Sequence, residues 1–200
     1  MRAFWDERYN SNETVYGTAP NIYFEQQIKN LKPGRLLLPA EGEGRNALYA
    51  ASLGWEVFAF DYSDVAIRKA KSNAHSNGLI INYEVADIES YNCPPQYFDA
   101  IALIYVHLEP QLRNLFHTRI GAWIKPGGMI ILEAFTPGQL ANTSGGPKDI
   151  KMLYNAKILQ SDFPETAFDL LTIAEITTNL SEGPFHNGNA EIVRMLACKH

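Results

Sequence analysis

Five short apolar runs recur along the first 135 residues: RLLLPA (35–40), WEVFAFD (55–61), LIINYEVAD (79–87), YFDAIALIYV (97–106) and MIILEAF (129–135). Between most of them lie stretches of helical spacing, RNALYAASLG (45–54), SDVAIRKAKSNAHSNG (63–78) and EPQLRNLFHTRIGAWI (109–124). Ser63 stands where a helix N-cap belongs, Pro110 at a first turn, and Gly54 and Gly78 at helix ends. A run that is apolar through its middle, as IALIYV is, suits a strand buried on both faces. This alternation constrains the chain to a doubly wound α/β sheet, because parallel neighbours need a crossover helix. After residue 135 the rhythm changes. TPGQLANTSGGPKD (136–149) reads as a loop, KPGG (125–128) as a turn, and a helix is expected near 150–163. AFDLLTIAEITTNL (167–180) and AEIVRMLACK (190–199) are joined only by SEGPFHNGN, so they should be antiparallel neighbours. The expectation is a mostly parallel seven-stranded sheet with its last strand antiparallel, in a single domain over 1–200. An aromatic segment and a helix occupy 1–34, and 136–166 is expected to be a lid, since long loops in compact domains tend to be functional.

Composition narrows the partners. Two hundred residues at 46% apolar and 20% charged can bury a core. A net charge of -5 argues against a nucleic-acid partner. Cys93 and Cys198 stand in no metal-binding spacing and suit a reducing compartment. MRAFWDERYN lacks the apolar region of a signal peptide, and no run is long enough to span a bilayer. A cytoplasmic protein without metal, membrane or nucleic-acid partner is expected. Oligomeric state leaves no trace in the sequence.

The turn after the first strand, LLLPAEGEGRNALYAA (36–51), carries the chemistry. Gly42 and Gly44 let a ligand approach the backbone, and the following helix points N–H groups at the same place. GEGRNA satisfies the dinucleotide pattern G-x-G-x-x-A, but Glu41 and Glu43 flank it. A pyrophosphate about 4 Å from a carboxylate would cost on the order of 4 kcal/mol at an effective dielectric near 20. A ligand with an ammonium and a sulfonium and no phosphate has the opposite preference, and S-adenosylmethionine is such a ligand. Asp61 ends the second strand beside this turn, where a carboxylate can accept both ribose hydroxyls. Asp87 ends the third, where it can accept from an adenine amine with Ile88 against the ring. The alternative for either acid is a turn or cap residue.

LLLPAEGEGRNA, VFAFDYS, VADIES, FDAIALIYVHL and WIKPGGMIIL, in this order, resemble a class I S-adenosylmethionine-dependent methyltransferase of the thiopurine and tellurite-resistance type. The resemblance implies a Rossmann-like fold, S-adenosyl-L-methionine as cofactor and methyl transfer to a small molecule. It implies that Tyr62 follows the ribose acid in the cofactor site, and that Trp5, Tyr9 and Tyr16 fold over the sulfonium end, where a ring face attracts a cation. The acid usual two residues before the first turn glycine is absent, because Ala40 stands there. The methionyl ammonium then falls to Glu41 or to backbone carbonyls near Ala40 and Ile104.

Methyl transfer needs positioning and exclusion of water more than covalent help. Ile104, Tyr105 and His107 follow the fourth strand beside the expected methyl group. His107 is placed to act as a base or orient a substrate, and equally to cap the next helix. His186 and Arg194 resemble the His/Arg pairing of tellurite-resistance enzymes, although Asn187 replaces the second basic residue and Arg194 could be a plain salt-bridge partner. A nicotinamide-dependent oxidoreductase and a non-catalytic cofactor-binding relative are the alternatives.

Overall fold

The computed structural model describes residues 2–10 and 14–200. Residues 11–13 of the aromatic segment lie outside the described residues. Among the described residues, seven strands form one sheet in the order β3-β2-β1-β4-β5-β7-β6. The strands are β1 (Arg35–Pro39), β2 (Glu56–Asp61), β3 (Asn82–Val85), β4 (Phe98–Ile104), β5 (Ile124–Phe135), β6 (Phe168–Ser181) and β7 (Asn187–Lys199). The first five pair in parallel, and β7 runs antiparallel to both of its neighbours. The helices are α1 (Arg2–Tyr9), α2 (Ile22–Ile28), α3 (Arg45–Ser52), α4 (Asp64–Ser76), α5 (Pro110–Trp123) and α6 (Ala156–Asp162).

The two-residue period of the strands sorts the core into layers. Leu36, Leu38, Val57, Ala59, Ala100 and Ala102 face one layer, which α2, α3 and α4 complete with Phe24, Ala47, Ala50, Ile67 and Ala70. Leu37, Phe60, Ile101, Leu103, Ile130 and Leu132 face the other, against Phe116, Ile120 and Trp123 of α5 and Leu159 of α6. Both faces of the central strands are therefore covered, as a parallel sheet requires. The hydroxyl of Ser63 accepts from the Ala66 N–H and starts α4, and α5 starts at Pro110.

Three details differ from the sequence expectation. β3 is confined to 82–85, because Leu79 is tied back to the end of α4 by its N–H bond to the Ala74 carbonyl and Ile80 stands exposed. β5 begins at Ile124, but KPGG behaves as the expected turn. Phe98 pairs with Ile124 and Ala100 with Met129, so 125–128 loop out of the ladder. Residues 136–166 hold two 3₁₀ turns, Pro137–Ala141 and Ile150–Met152, and α6. Tyr154, Leu159 and Phe163 from this stretch are buried in the α5-side core, and the Tyr154 N–H bonds the Phe135 carbonyl at 3.0 Å. Its second half is core, not a cover standing off the sheet.

Phe163 is fully buried and meets the Phe168 ring edge-on at 5.4 Å. Phe163→Ala is expected to lower global unfolding free energy by about 3–5 kcal/mol. Urea denaturation that found the variant as stable as the parent would return this segment to the role of a detachable lid.

Candidate functional site

The turn after β1 is built from left-handed backbone at Ala40 (φ 51°), Gly42 (φ 62°) and Gly44 (φ 86°). The Gly42 N–H donates to Asp61 Oδ2 at 2.8 Å, which fastens the turn to the tip of β2. Asp61 Oδ1 accepts from the Ser63 N–H at 2.8 Å. Burial raises the Asp61 carboxyl above its ordinary range, against the pull of these N–H groups. Each oxygen keeps a second lone pair, so the carboxylate retains acceptor capacity.

Glu41 and Glu43 do not face a ligand. Glu41 Oε1 accepts from the N–H groups of Asn46 and Ala47 at 2.7 and 2.8 Å, and Oε2 accepts from Asn46 Nδ2 at 3.1 Å. It caps α3, whose N-cap residue Gly44 has no side chain to do so. Burial raises its pKa to about 7, partly offset by those donors. Glu43 accepts from the Val15 N–H at 2.7 Å and from Lys69 Nζ at 2.9 Å. The expectation that Glu41 holds an ammonium is therefore corrected, because donors of the protein itself occupy both of its oxygens, and Lys69 answers the charge of Glu43.

Trp5, Tyr9 and Tyr16 converge over this turn. Tyr9 is buried, with its hydroxyl 2.6 Å from where a Cβ on Gly42 would stand. Trp5 stacks on Tyr9 at 5.9 Å, and Tyr16 meets Tyr9 edge-on at 6.5 Å. Asp6 accepts from the Ser63 hydroxyl at 2.5 Å, and Arg45 Nη1 donates to the Tyr16 carbonyl at 3.0 Å. The N-terminal segment is thus a strap across the tips of β1 and β2.

Around it, Ala40 and Tyr62 are exposed, and Asp87, Ile88, Ile104 and Tyr105 are half-buried. Asp87 Oδ1 accepts from the Ser90 N–H at 2.6 Å, and the Ser90 side chain and N–H hold its carboxyl below the ordinary range. Ile88 packs against the α5-side core.

At the tips of β4, β5 and β7 lies a buried polar network. Glu133, fully buried in β5, accepts from the Tyr105 hydroxyl at 2.7 Å, Asn21 Nδ2 at 2.6 Å and Arg194 Nε at 2.5 Å. Asn21 Nδ2 also reaches Glu182 Oε1 at 2.9 Å, and Arg45 Nη2 bonds Glu182 Oε2 at 2.7 Å. His186 Nδ1 lies 3.7 Å from Glu182. The His186 ring sits among Tyr105, Tyr16 and Phe135, with centroids 4.4, 4.6 and 5.4 Å away. Burial lowers its pKa below the ordinary value for histidine, opposed by Glu182. Arg194 does not pair with His186; the β5–β7 register sets it opposite Glu133, and each basic residue answers to a different acid.

The sequence reading passes over Asn21, Glu133 and Glu182. Glu133 carried a signal, a lone acid inside the apolar run MIILEAF on a strand expected to be buried on both faces. Asn21 and Glu182 read as ordinary cap and turn residues, and only tertiary contact brings them together.

His107 is corrected as a candidate base. Its Nδ1 donates to the Met152 carbonyl at 2.7 Å, and its Nε2 accepts from the Phe135 N–H at 3.2 Å. Both nitrogens are engaged by backbone, and burial lowers its pKa to about 4. It pins the 150–152 turn to the end of β5.

The comparisons with known proteins agree with this fold. Residues 39–128 match a methyltransferase-domain family model. One curated relative is the ubiquinone/menaquinone biosynthesis C-methyltransferase UbiE of Bordetella avium (strain 197N), 28% identical over 116 residues, 54% of this chain and 43% of the relative. Another is probable thiol methyltransferase 2 of Arabidopsis thaliana, 26% identical over 150 residues, 72% of this chain and 65% of the relative. The chain spans less than two thirds of the length of either. The crystal structure of TehB from Haemophilus influenzae has a TM-score of 0.75 at 19% identity, covering 100% of this chain and 67% of that one, and shows the shared fold. Together these findings show a likeness to a methyltransferase domain over residues 39–128 and a shared fold over the whole chain.

The His107 geometry fixes a pH response. An imidazole whose folded pKa lies near 4, against an unfolded value near 6.5, contributes fully above pH 6.5 and loses that contribution as pH falls toward 4. The loss is on the order of 3 kcal/mol. His107→Phe keeps a ring between Phe135 and Tyr154, so it should be less stable at pH 7 but flatter between pH 6.5 and 4. Urea unfolding at a series of pH values reads this directly, and parallel profiles for parent and variant would refute it.

Proposed function

We propose that the chain transfers the methyl group of S-adenosylmethionine to a small-molecule acceptor and releases S-adenosylhomocysteine. The observation that carries this is Asp61, a buried carboxylate at the tip of β2, tied to the Gly42 N–H and with lone pairs left for two ribose hydroxyls. The surrounding residues fit the cofactor. Gly42 supplies close backbone approach, Ala40 and Tyr62 present exposed surface, and Asp87 and Ile88 stand at the next strand tip where an adenine would lie. With Glu41 engaged in capping α3, the carbonyls near Ala40 and Ile104 are the acceptors proposed for the methionyl ammonium.

When bound, the cofactor supplies an electrophilic methyl on a cationic sulfur. The chain's own part is to bind, orient and exclude water. Tyr9 and Tyr16 close over the Gly42 turn and offer ring faces to a cation. Tyr105 is held by Glu133, and His186 stands beside it as the polar group nearest an incoming acceptor. Arg194 acts by holding Glu133 in place. The finer assignment to the thiopurine and tellurite-resistance type is supported by the aromatic strap, the likeness to TehB and the thiol methyltransferase relative. We read 1–200 as one methyltransferase unit acting in the cytoplasm.

Titration calorimetry with S-adenosylhomocysteine is expected to give micromolar binding, while NADH should not bind. Asp61→Ala, with its fold checked by circular dichroism, is expected to weaken that binding about 10- to 100-fold, the worth of lost hydrogen bonds to a charged group. Unchanged affinity would move the ribose away from β2.

A further inference from the structure

Beside the strap lies a cavity of about 220 Å³, bounded by α1, the glycine pair Gly145–Gly146 and the hairpin between β6 and β7. Two cations line it, Arg8 and Lys148, and no carboxylate does. Arg8 stands between the rings of Phe4 and Phe185, each 4.6 Å from its guanidinium, and donates to the Tyr16 hydroxyl at 3.2 Å. Among the described residues, Lys148 bonds the Asn142 carbonyl at 3.4 Å. Among the described residues neither cation has an acid partner. Glu182, 3.7 Å from the His186 ring nitrogen, is already bonded to Arg45 at 2.7 Å.

The inner wall is the aromatic layer of the methyl end. His186 and Tyr16 line the cavity, and the same His186 ring meets Tyr105 while the same Tyr16 ring meets Tyr9. The cavity therefore abuts the site described above. The His186 edge that faces it lies against Gly145, where a Cβ would come within 2.7 Å of Cδ2 and 3.2 Å of Nε2.

We propose that this cavity admits the methyl acceptor and selects a small molecule bearing an anionic group, held by Arg8 and Lys148 with its nucleophile toward His186. The inference rests on the methyltransferase reading and adds to it the charge class of the acceptor. Two cations without counter-ions favour an anion and disfavour an ammonium, so a cationic amine is excluded. Drug-sized ligands occupy pockets of about 300–1,000 Å³, so a volume of about 220 Å³ excludes an acceptor that buries a long chain. The rings of Tyr16 and Phe185 provide apolar wall for the rest of the molecule.

Three probes that share a phenyl ring test the charge rule: benzoate, benzamide and benzylammonium. Each is titrated calorimetrically into the full chain, alone and saturated with S-adenosylhomocysteine. Benzoate is expected to bind the loaded protein about tenfold more tightly than benzamide, and benzylammonium not at all. Lys148→Gln should erase most of the benzoate preference and leave S-adenosylhomocysteine affinity within about twofold, because the cavity lies outside the Gly42 and Asp61 contacts. Arg8→Gln should reduce the preference likewise. If S-adenosylhomocysteine binds but benzoate is no better than benzamide, or Lys148→Gln keeps the preference, the anion rule is overturned and the methyltransferase reading stands. If S-adenosylhomocysteine does not bind, that reading falls and takes the acceptor site with it.

Discussion

A carboxylate inside a central strand organises one end of this molecule. Burying Glu133 unpaired would cost several kcal/mol, so the fold has to bring donors to it. They come from three distant parts of the chain: Asn21 ahead of α2, Tyr105 after β4 and Arg194 on β7. The Asn21 amide has two hydrogens and gives the second to Glu182, which draws in Arg45 and sets His186 among its rings. The same Asn21 accepts the Phe24 N–H and starts α2. One buried acid thus fixes where the N-terminal strap, the hairpin of β6 and β7, and the tip of β4 meet.

The elements were legible because the strand period and the glycine and proline punctuation are local. IALIYV could be buried on both faces only in a covered parallel sheet, and Ser63 could be recognised as a cap from its neighbours. The geometry of the proposed cofactor end was half legible. Asp61 and Asp87 reveal themselves as acids at strand tips, whereas Glu41 reads the same whether it faces a ligand or caps a helix. Its target N–H groups lie five and six residues on, beyond the usual capping spacing, and the missing side chain at Gly44 is what calls it there. For His107 nothing in YVHLEP indicates that Met152 will supply an acceptor 45 residues away.

The strap gives the crevice its closed form. The Tyr9 hydroxyl stands against Gly42, where the backbone would otherwise be open to a ligand, and Glu43 holds the strap through the Val15 N–H. A ligand that occupies the Gly42 turn must displace that ring or slide beneath it. The left-handed conformations at Ala40 and Tyr105 mark the same two places, the turn after β1 and the end of β4, as points where tertiary contacts over-determine the backbone.

Charge balance links this architecture to the proposed acceptor. Glu133 and Glu182 are answered by Arg194 and Arg45, and burial favours the neutral form of His186, so the network adds no net charge beside the reacting atoms. In a buried site of low effective dielectric, opposite charges attract strongly, and a reaction that cancels a pair of them is favoured over one that creates a new charge. An anionic nucleophile meeting a sulfonium cancels a pair, and it arrives without a proton, so no base is required. His107, with both nitrogens bound to backbone, is not available as one. A neutral amine would leave a cation that this balanced network has no spare carboxylate to receive. The two cations that line the cavity hold the acceptor's anionic group, and the balanced interior is left to favour a nucleophile whose own charge cancels that of the sulfonium.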